Sequence, residues 1–305
     1  MRVLITGATG LVGREIVEKC WEKNWEVYYL STAQDKLVTT ENYKGFFWDP
    51  NSGFIDADCI KGVSAIIHLA GASVSKRWTD SYKEEILHSR LITTQMLIHL
   101  LKNHPQHQIK HIISASAIGL YPDDAFKTYR ENDDNASDTS FLGTVVERWE
   151  TEVDRFAQLG LLVSKIRIGI VLSENGGALA QMAKPISIGL GAVLGSGNQW
   201  MSWIHIEDLA GIFIKLTEDR KEGVYNGVAP NPVTNKQMTY AIAKYLDRKI
   251  FLPPVPGFVL KLILGEMASL VLSSIRADAK KIMRTGYHFK FNNLDEALEN
   301  LLKKQ

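Results

Sequence analysis

Over the first half of the chain, short apolar runs closed by glycine or proline alternate with longer stretches whose apolar positions recur at helical spacing. Val3, Leu4 and Ile5 form a run too short for a helix and are followed by Thr6 and Gly7, which predicts a buried parallel strand. Leu11, Val12, Ile16, Val17, Cys20 and Trp21 then fall on one helical face, and Trp25, Val27, Tyr28 and Leu30 predict a second strand. Phe46–Trp48 predicts a third strand, stopped by Pro50, and Ala65–Ala70 a fourth, closed by Gly71. A long helical pattern follows, with Ile86, Leu87, Leu91, Met96, Leu97, Leu100 and Leu101 on its apolar side. His111–Ala117 predicts a strand, Phe141–Leu159 a helix and Leu161–Leu172 a further strand, while acidic, polar Tyr129–Ser140 predicts a surface loop. Strand and helix alternate throughout, so the expected fold class is α/β, a doubly wound parallel sheet of the Rossmann type.

After Leu172 the rhythm changes. Glycines crowd positions 176–197, Met201–Leu209 introduces another helix, and from Pro230 onward helices mix with short extended pieces such as Phe251–Pro256. The pattern predicts one α/β domain over 1–172, with 202–229 returning to it. A smaller, mainly helical lobe is expected over 173–201 and 230–305, covering the sheet's ligand-binding edge. The apolar stretch Phe258–Leu272 reads as core or a partner-helix face ahead of membrane contact.

Composition narrows the class. The 305 residues are 45% hydrophobic, enough for a substantial core, and 35 basic against 34 acidic residues give no support to nucleic-acid or membrane binding. Two cysteines, Cys20 and Cys59, argue against a disulfide framework or a cysteine-rich metal site. No signal peptide is read before the first strand, and Gly257–Leu272, interrupted by Lys261 and Glu266, falls short of the ~20 residues of a spanning helix. The expectation is a cytoplasmic protein, with an organelle matrix as the other compartment these features fit.

The candidate chemistry lies at strand ends. Gly7, Gly10 and Gly13, between a strand and a helix, suit a backbone that turns tightly and approaches a pyrophosphate facing the helix N-terminus. The acidic residue that binds the ribose of NAD, expected about 20 residues on, is replaced by Ser31 and Thr32. With Arg14 and Lys36 near enough to meet a 2′-phosphate, NADP(H) is the expected cofactor, unless those two are ordinary solvated charges. Leu69, Ala70 and Gly71 form a second strand end open to a cofactor, His68 before them reads as a satisfied core histidine, and Asp49 suits either an adenine contact or an Asx turn. Ser116, at the end of its strand, and Tyr121 are the catalytic candidates, able to bond a substrate carbonyl; the alternative for Ser116 is a small residue closing a strand. His104, His107 and His111 lack a nearby acidic or cysteine partner, so no metal is expected.

These residues resemble the epimerase-family proteins among the atypical short-chain dehydrogenase/reductases. The resemblance rests on TGATGLVG at Thr6–Gly13, WDP at Trp48–Pro50, HLAG at His68–Gly71, RW at Arg77–Trp78, SRLITT at Ser89–Thr94 and SASAIG at Ser114–Gly119. RWE at Arg148–Glu150, RIGIVL at Arg167–Leu172, SWIHIEDLAG at Ser202–Gly211, NGVAPNPVTN at Asn226–Asn235 and LGEMASLVL at Leu264–Leu272 extend it over nearly the whole chain, including that family's own C-terminal segment. It implies NADP(H) in the glycine loop, at Gly7, Thr9, Gly10, Leu11, Val12 and Gly13, with the 2′-phosphate near Ser31 and Thr32. It further implies cofactor contacts at Leu69, Ala70, Gly71, Glu85, Arg90 and Val171. Arg167, Trp203 and His205 are the substrate-side candidates.

Active relatives of the wider superfamily use a Tyr-x-x-x-Lys pair to move a proton, and the corresponding positions here are Leu142 and Val146. Two readings follow: an NADP(H)-dependent oxidoreductase or epimerase on a small polar substrate, or a non-catalytic NADP(H)-binding redox sensor or partner-binding module. A homodimer is compatible with either.

Overall fold

A computed structural model describes residues 1–133 and 138–303. Its main sheet contains β1 (Arg2–Thr6), β2 (Glu26–Ser31), β3 (Tyr43–Asp49), β4 (Phe54–Ile55), β5 (Ala65–His68), β6 (His111–Ala117), β7 (Leu162–Ile168) and β8 (Gly223–Gly227). The spatial order is β8-β7-β6-β5-β1-β2-β3-β4, parallel throughout except for β4, which runs antiparallel to β3. Val3, Leu4 and Ile5 of β1 are fully buried because neighbouring strands flank them on both edges and helices cover both faces. Helices α1 (Leu11–Glu22), α2 (Asp80–Asn103), α3 (Phe141–Asp154) and α5 (Ile206–Asp219) supply those layers, whereas α4 (Gly177–Ser187) packs against Ile170–Ser173 and the helix Asn235–Tyr245. α1 packs on α5 and α2 on α3, one pair for each face of the sheet.

The winding direction sets the position of the site. From β1 the chain moves outward through β2 and β3, then returns to lay β5 against the other edge of β1 and winds away through β6, β7 and β8. The reversal falls between β1 and β5, and the crevice outside their carboxyl ends is where open α/β sheets bind ligands.

Several segments differ from the sequence pattern. The run Leu161–Leu172 is two strands: β7 stays in the sheet, and after Gly169 the chain turns away as Ile170–Ser173 to pair in parallel with Trp203–His205. A β-carbon on Gly169 would lie 2.4 Å from the Ser202 carbonyl oxygen, so only glycine allows the backbones to meet there. Thr128–Tyr129 pairs with Arg276–Ala277, and Tyr129 and Glu131 are buried, so the loop expected over Tyr129–Ser140 begins inside the protein; 134–137 lie outside the described residues. The stretch Phe258–Leu272 is broken at Gly265 (φ +61°) into α7 (Gly257–Leu264) and shorter turns.

Two apolar cores result. The larger one fills both faces of the sheet and includes Ile204, Leu209, Phe213 and Tyr225, together with Ala277, Ile282 and Phe289 from a segment expected in the C-terminal lobe. The smaller one joins Leu172, Leu179, Trp203 and Ala229 to Met238 and Ile242 of α6 (Asn235–Tyr245) and to Phe291, Leu294 and Leu298 at the C-terminal helix Leu294–Leu302. Among the described residues, no helix is long and apolar enough to cross a membrane.

Candidate functional site

The glycine turn lies at the reversal point. Gly7 leaves β1 with φ +74°, a conformation that side chains disfavour, and its α-carbon faces Leu69 so closely that a β-carbon would lie 3.3 Å from the Leu69 backbone. Gly10 N–H donates to the Gly7 carbonyl at 3.0 Å, closing the turn. Gly13 packs over it, where a β-carbon would come within 2.1 Å of the same carbonyl oxygen. Gly10 is also the N-cap of α1, with no side-chain cap and no acidic residue in the first turn, so the first amides of the helix face the crevice unmatched. Thr9 and Gly10 are exposed, and Leu11 and Val12 half-buried beside them. The turn therefore has the shape and polarity that a diphosphate requires.

The end of β5 forms the opposite lip. Thr6 Oγ1 accepts from the Leu69 and Ala70 amides at 3.0 and 3.1 Å, tying the two strand ends together. With both approaches taken by donors, the Thr6 hydroxyl hydrogen goes to His68 Nδ1 at 2.8 Å. His68 Nε2–H then donates to Thr94 Oγ1 at 3.1 Å, which itself donates to the Arg90 carbonyl at 2.7 Å. Burial, with the Arg90 charge nearby, holds the His68 imidazole down to about 4, so it is a neutral structural link.

Arg90 reaches the same lip from α2. Its Nη1 donates to the carbonyls of Ile86 at 2.7 Å and Ala72 at 3.1 Å, and its guanidinium lies 5.1 Å from the centre of the Trp149 ring. A β-carbon on Gly71 would lie 3.1 Å from the Arg90 side chain, so the guanidinium closes directly over the strand end. Burial lowers it to about 10, which still leaves it cationic at neutral pH. Among the described residues no carboxylate pairs with it. Glu85, one turn earlier, is exposed.

Val171 completes the crevice from the far side. A β-carbon on Gly177 would lie 3.0 Å from Leu11 and 3.9 Å from the Val171 carbonyl, so the strand leaving the sheet passes beside the start of α1. Ser31 ends β2 with its hydroxyl engaged to the Ala33 carbonyl and amide, and Thr32 beyond it is exposed. Arg14 donates one N–H to the Thr9 carbonyl at 3.0 Å, and Lys36 is exposed on the turn after β2. Asp49 accepts from the Asn51 amide at 3.0 Å, an Asx turn at the far edge of the sheet.

The catalytic and substrate-side candidates do not converge on this crevice. Ser116, 3% exposed, donates to Glu150 Oε1, and Arg167, 2% exposed, clamps the same carboxylate with Nε at 2.9 Å and Nη2 at 3.0 Å. Tyr121 accepts from Arg167 Nη1 at 3.1 Å, donates to Asn226 Oδ1 at 2.8 Å and stacks on Tyr129 with ring centres 4.8 Å apart. Burial pushes its phenol up to about 12. Three residues expected at the reactive end thus form one closed interior network, because Ser116 projects from β6 toward α3 and Glu150. Trp203 is fully buried with its indole N–H on the Asn231 carbonyl at 2.9 Å. His205 caps α5: Nδ1 accepts the Glu207 amide at 3.1 Å, leaving Nε2–H for Asn300 Oδ1, while the ring stacks 3.8 Å from Phe291.

Sequence reasoning missed Glu150 as the hub of the network, though a lone arginine in the apolar strand around Arg167 signals that a buried carboxylate must exist. Leu142 lies against Gly119 at the end of β6, and Val146 is buried. His104 Nδ1 bonds the Leu100 carbonyl and His111 Nε2 the Ser164 hydroxyl, on separate elements.

Fold and crevice together define a doubly wound α/β protein of the nucleotide-binding type with a second, smaller apolar core. Residues 3–145 match the NAD dependent epimerase/dehydratase family, and residues 255–301 match a domain of unknown function, DUF1731. An epimerase family protein of Staphylococcus epidermidis is 35% identical over 308 residues, covering 99% of both chains. A chloroplastic relative from Arabidopsis thaliana, a homolog of epimerase family protein SDR39U1, is 34% identical over 99% of this chain and 87% of its own. Among solved structures, human epimerase family protein SDR39U1 (isoform 2) with NADPH superposes with a TM-score of 0.85 at 30% identity, over 99% of each chain. The chain belongs to the epimerase family proteins of the NAD-dependent epimerase/dehydratase family.

Proposed function

We propose that this protein binds NADP(H) across the β1–β5 crevice and uses it to reduce or oxidise a small polar carbonyl or alcohol. The observation that carries the reading is the pairing, at one reversal point, of a glycine turn too tight for any β-carbon with an arginine that has no carboxylate partner among the described residues. The human relative at 30% identity that was solved with NADPH supports the choice of cofactor. The amides of Gly10–Gly13 and the uncapped start of α1 hold the diphosphate; Arg14, Thr32 and Lys36 are the groups available to a 2′-phosphate. The Leu69–Gly71 backbone flanks the bound molecule, which when present supplies hydride chemistry.

Arg90 is kept flat by the Ile86 and Ala72 carbonyls and by the Trp149 face, so a substrate oxygen beside Gly71 meets a fixed cation. Leu142 and Val146 supply no proton, and the hydroxyls of Ser116 and Tyr121 are engaged elsewhere, so none of these four moves one. That same enclosure favours a second reading, a redox sensor that distinguishes NADP from NADPH without turnover.

Titration calorimetry with NADPH and NADH, followed by NADPH oxidation over ketones, aldehydes, quinones and sugars, separates the readings. Tighter binding of NADPH with turnover that falls at least tenfold in Arg90→Gln, binding retained, is the expected result. Binding with silence over the whole panel selects the sensor, and no binding by folded protein removes both.

A further inference from the structure

Large apolar side chains gather on one outer face of the C-terminal lobe. Ile188, Leu190, Phe251, Leu252, Phe258, Leu262 and Ile263 are all between 43% and 84% exposed. They belong to one surface because the segments carrying them are joined. Arg248 Nε donates to the Ser187 carbonyl at 2.9 Å, Ile250 packs against Gly191, and the Val255 amide donates to the Val193 carbonyl at 2.8 Å. Pro256 then leads directly into α7.

Helix α7 is turned the opposite way from an ordinary surface helix. At 100° per residue, Phe258, Lys261 and Leu262 share an outward arc of about 100° and Ile263 lies about 100° further round, all exposed, while Leu260 is the one buried residue of the helix. A continuous exposed apolar surface of this kind marks an interaction site.

Charge selects the occupant. Segments 184–191 and 247–263 carry Lys184, Arg248, Lys249 and Lys261, all exposed, against the single acid Asp247, a local balance of four minus one, or +3, in a chain whose total is +1. A second copy docked through a two-fold axis would set these cations against themselves. The large side chains are carried on a short helix and on loops beside Pro185, Pro253, Pro254 and Pro256, not on a strand to which another could be added. Exposed aromatic and aliphatic side chains interspersed with cations are the pattern of a segment seated in the headgroup region of an anionic bilayer.

We propose that this face, from Ser187–Gly191 through α7, docks the protein peripherally on an anionic lipid surface. The Rossmann crevice lies on other elements, so the inference stands apart from the cofactor reading.

The full-length protein is sedimented with vesicles of phosphatidylcholine alone and of phosphatidylcholine with 30% phosphatidylglycerol. Binding to the anionic vesicles at low salt, its loss at 0.5 M salt and little binding to the neutral ones are expected. The triple variant Phe258→Ser, Leu262→Ser, Ile263→Ser removes only exposed side chains; it should keep the wild-type circular dichroism and melting midpoint and lose the vesicles. Lys249→Gln with Lys261→Gln should weaken binding about fivefold per charge removed. Failure to sediment with anionic vesicles, equal binding to neutral ones, or a concentration-dependent dimer that the triple variant dissolves would each overturn the proposal.

Discussion

Replacing Glu150 by Gln keeps the size of the side chain and removes the charge that neutralises Arg167. The carboxylate accepts from Arg167 Nε and Nη2, from the Ser116 hydroxyl and, through Oε2, faces Lys165 Nζ at 3.3 Å, with the side chains of Arg167 and Glu150 only 3% and 8% exposed. Burial alone would push Glu150 upward, but the Arg167 hydrogen bonds and the charges of Arg167 and Lys165 outweigh it, so it lies below the ordinary carboxylate value. Its contribution is therefore present above the unfolded pKa and is lost as pH falls through the folded one. Removing one partner of a buried pair costs about 3–5 kcal/mol because the other charge stays buried, and in a domain of this size that lowers the melting midpoint by roughly 10 °C. Urea unfolding of Glu150→Gln, Glu150→Leu, Arg167→Met and the Glu150→Leu/Arg167→Met double variant measures it. Each single change should cost the full amount, and the double variant clearly less than the sum. Cofactor binding by the folded single variants should stay within about twofold. A Glu150→Gln protein as stable as the parent but unable to turn over substrate would refute the assignment, and would return Ser116, Tyr121 and Arg167 to the chemistry.

Two further outcomes follow from the same packing. His68, His111 and His205 are each held down to about 4 by burial, so the unfolded chain takes up three protons that the folded one refuses as pH drops from about 6.5 to 4. Stability should fall there by up to about 4 kcal/mol per pH unit, seen as a falling urea midpoint between pH 7 and 5, and a flat midpoint over that range would contradict it. Gly169→Ala sets a β-carbon 2.4 Å from the Ser202 oxygen and should cost about 1–3 kcal/mol, whereas Gly160→Ala, where a β-carbon meets nothing within 4 Å but φ is +73°, should show only the smaller cost of the turn.

The β1–α1 unit is legible in one dimension because a three-residue apolar run closed by glycine and followed by helical spacing has few other solutions. The sheet order is not written in any local pattern; it emerges when β5 returns to the free edge of β1. The break at Gly169 was hidden because apolar residues continue on both sides of it, although a glycine inside a strand pattern is the one local sign of close backbone approach. Glu150 is indistinguishable in sequence from the solvated glutamates of the same helix, such as Glu147, since the difference is made by Arg167 on a strand that comes later. Exposure of α7 is the reverse case. Its apolar residues look like core until the smaller core is seen to be filled from α4, α6 and the C-terminal helix, leaving α7 outside.

Most polar side chains that the sequence offers for chemistry are held by structural contacts. His68 is neutral and bonded on both ring nitrogens, Ser31 closes a turn, Ser116 and Tyr121 satisfy a buried ion pair, and His205 caps a helix against Asn300. Each of these groups is fixed by the need to satisfy buried polar atoms, and none is free to gain or release a proton near neutrality without breaking that arrangement. Arg90 differs because carbonyls and a ring face hold its guanidinium while no described carboxylate neutralises it. The fold places the glycine turn and the Gly71 lip beside that charge.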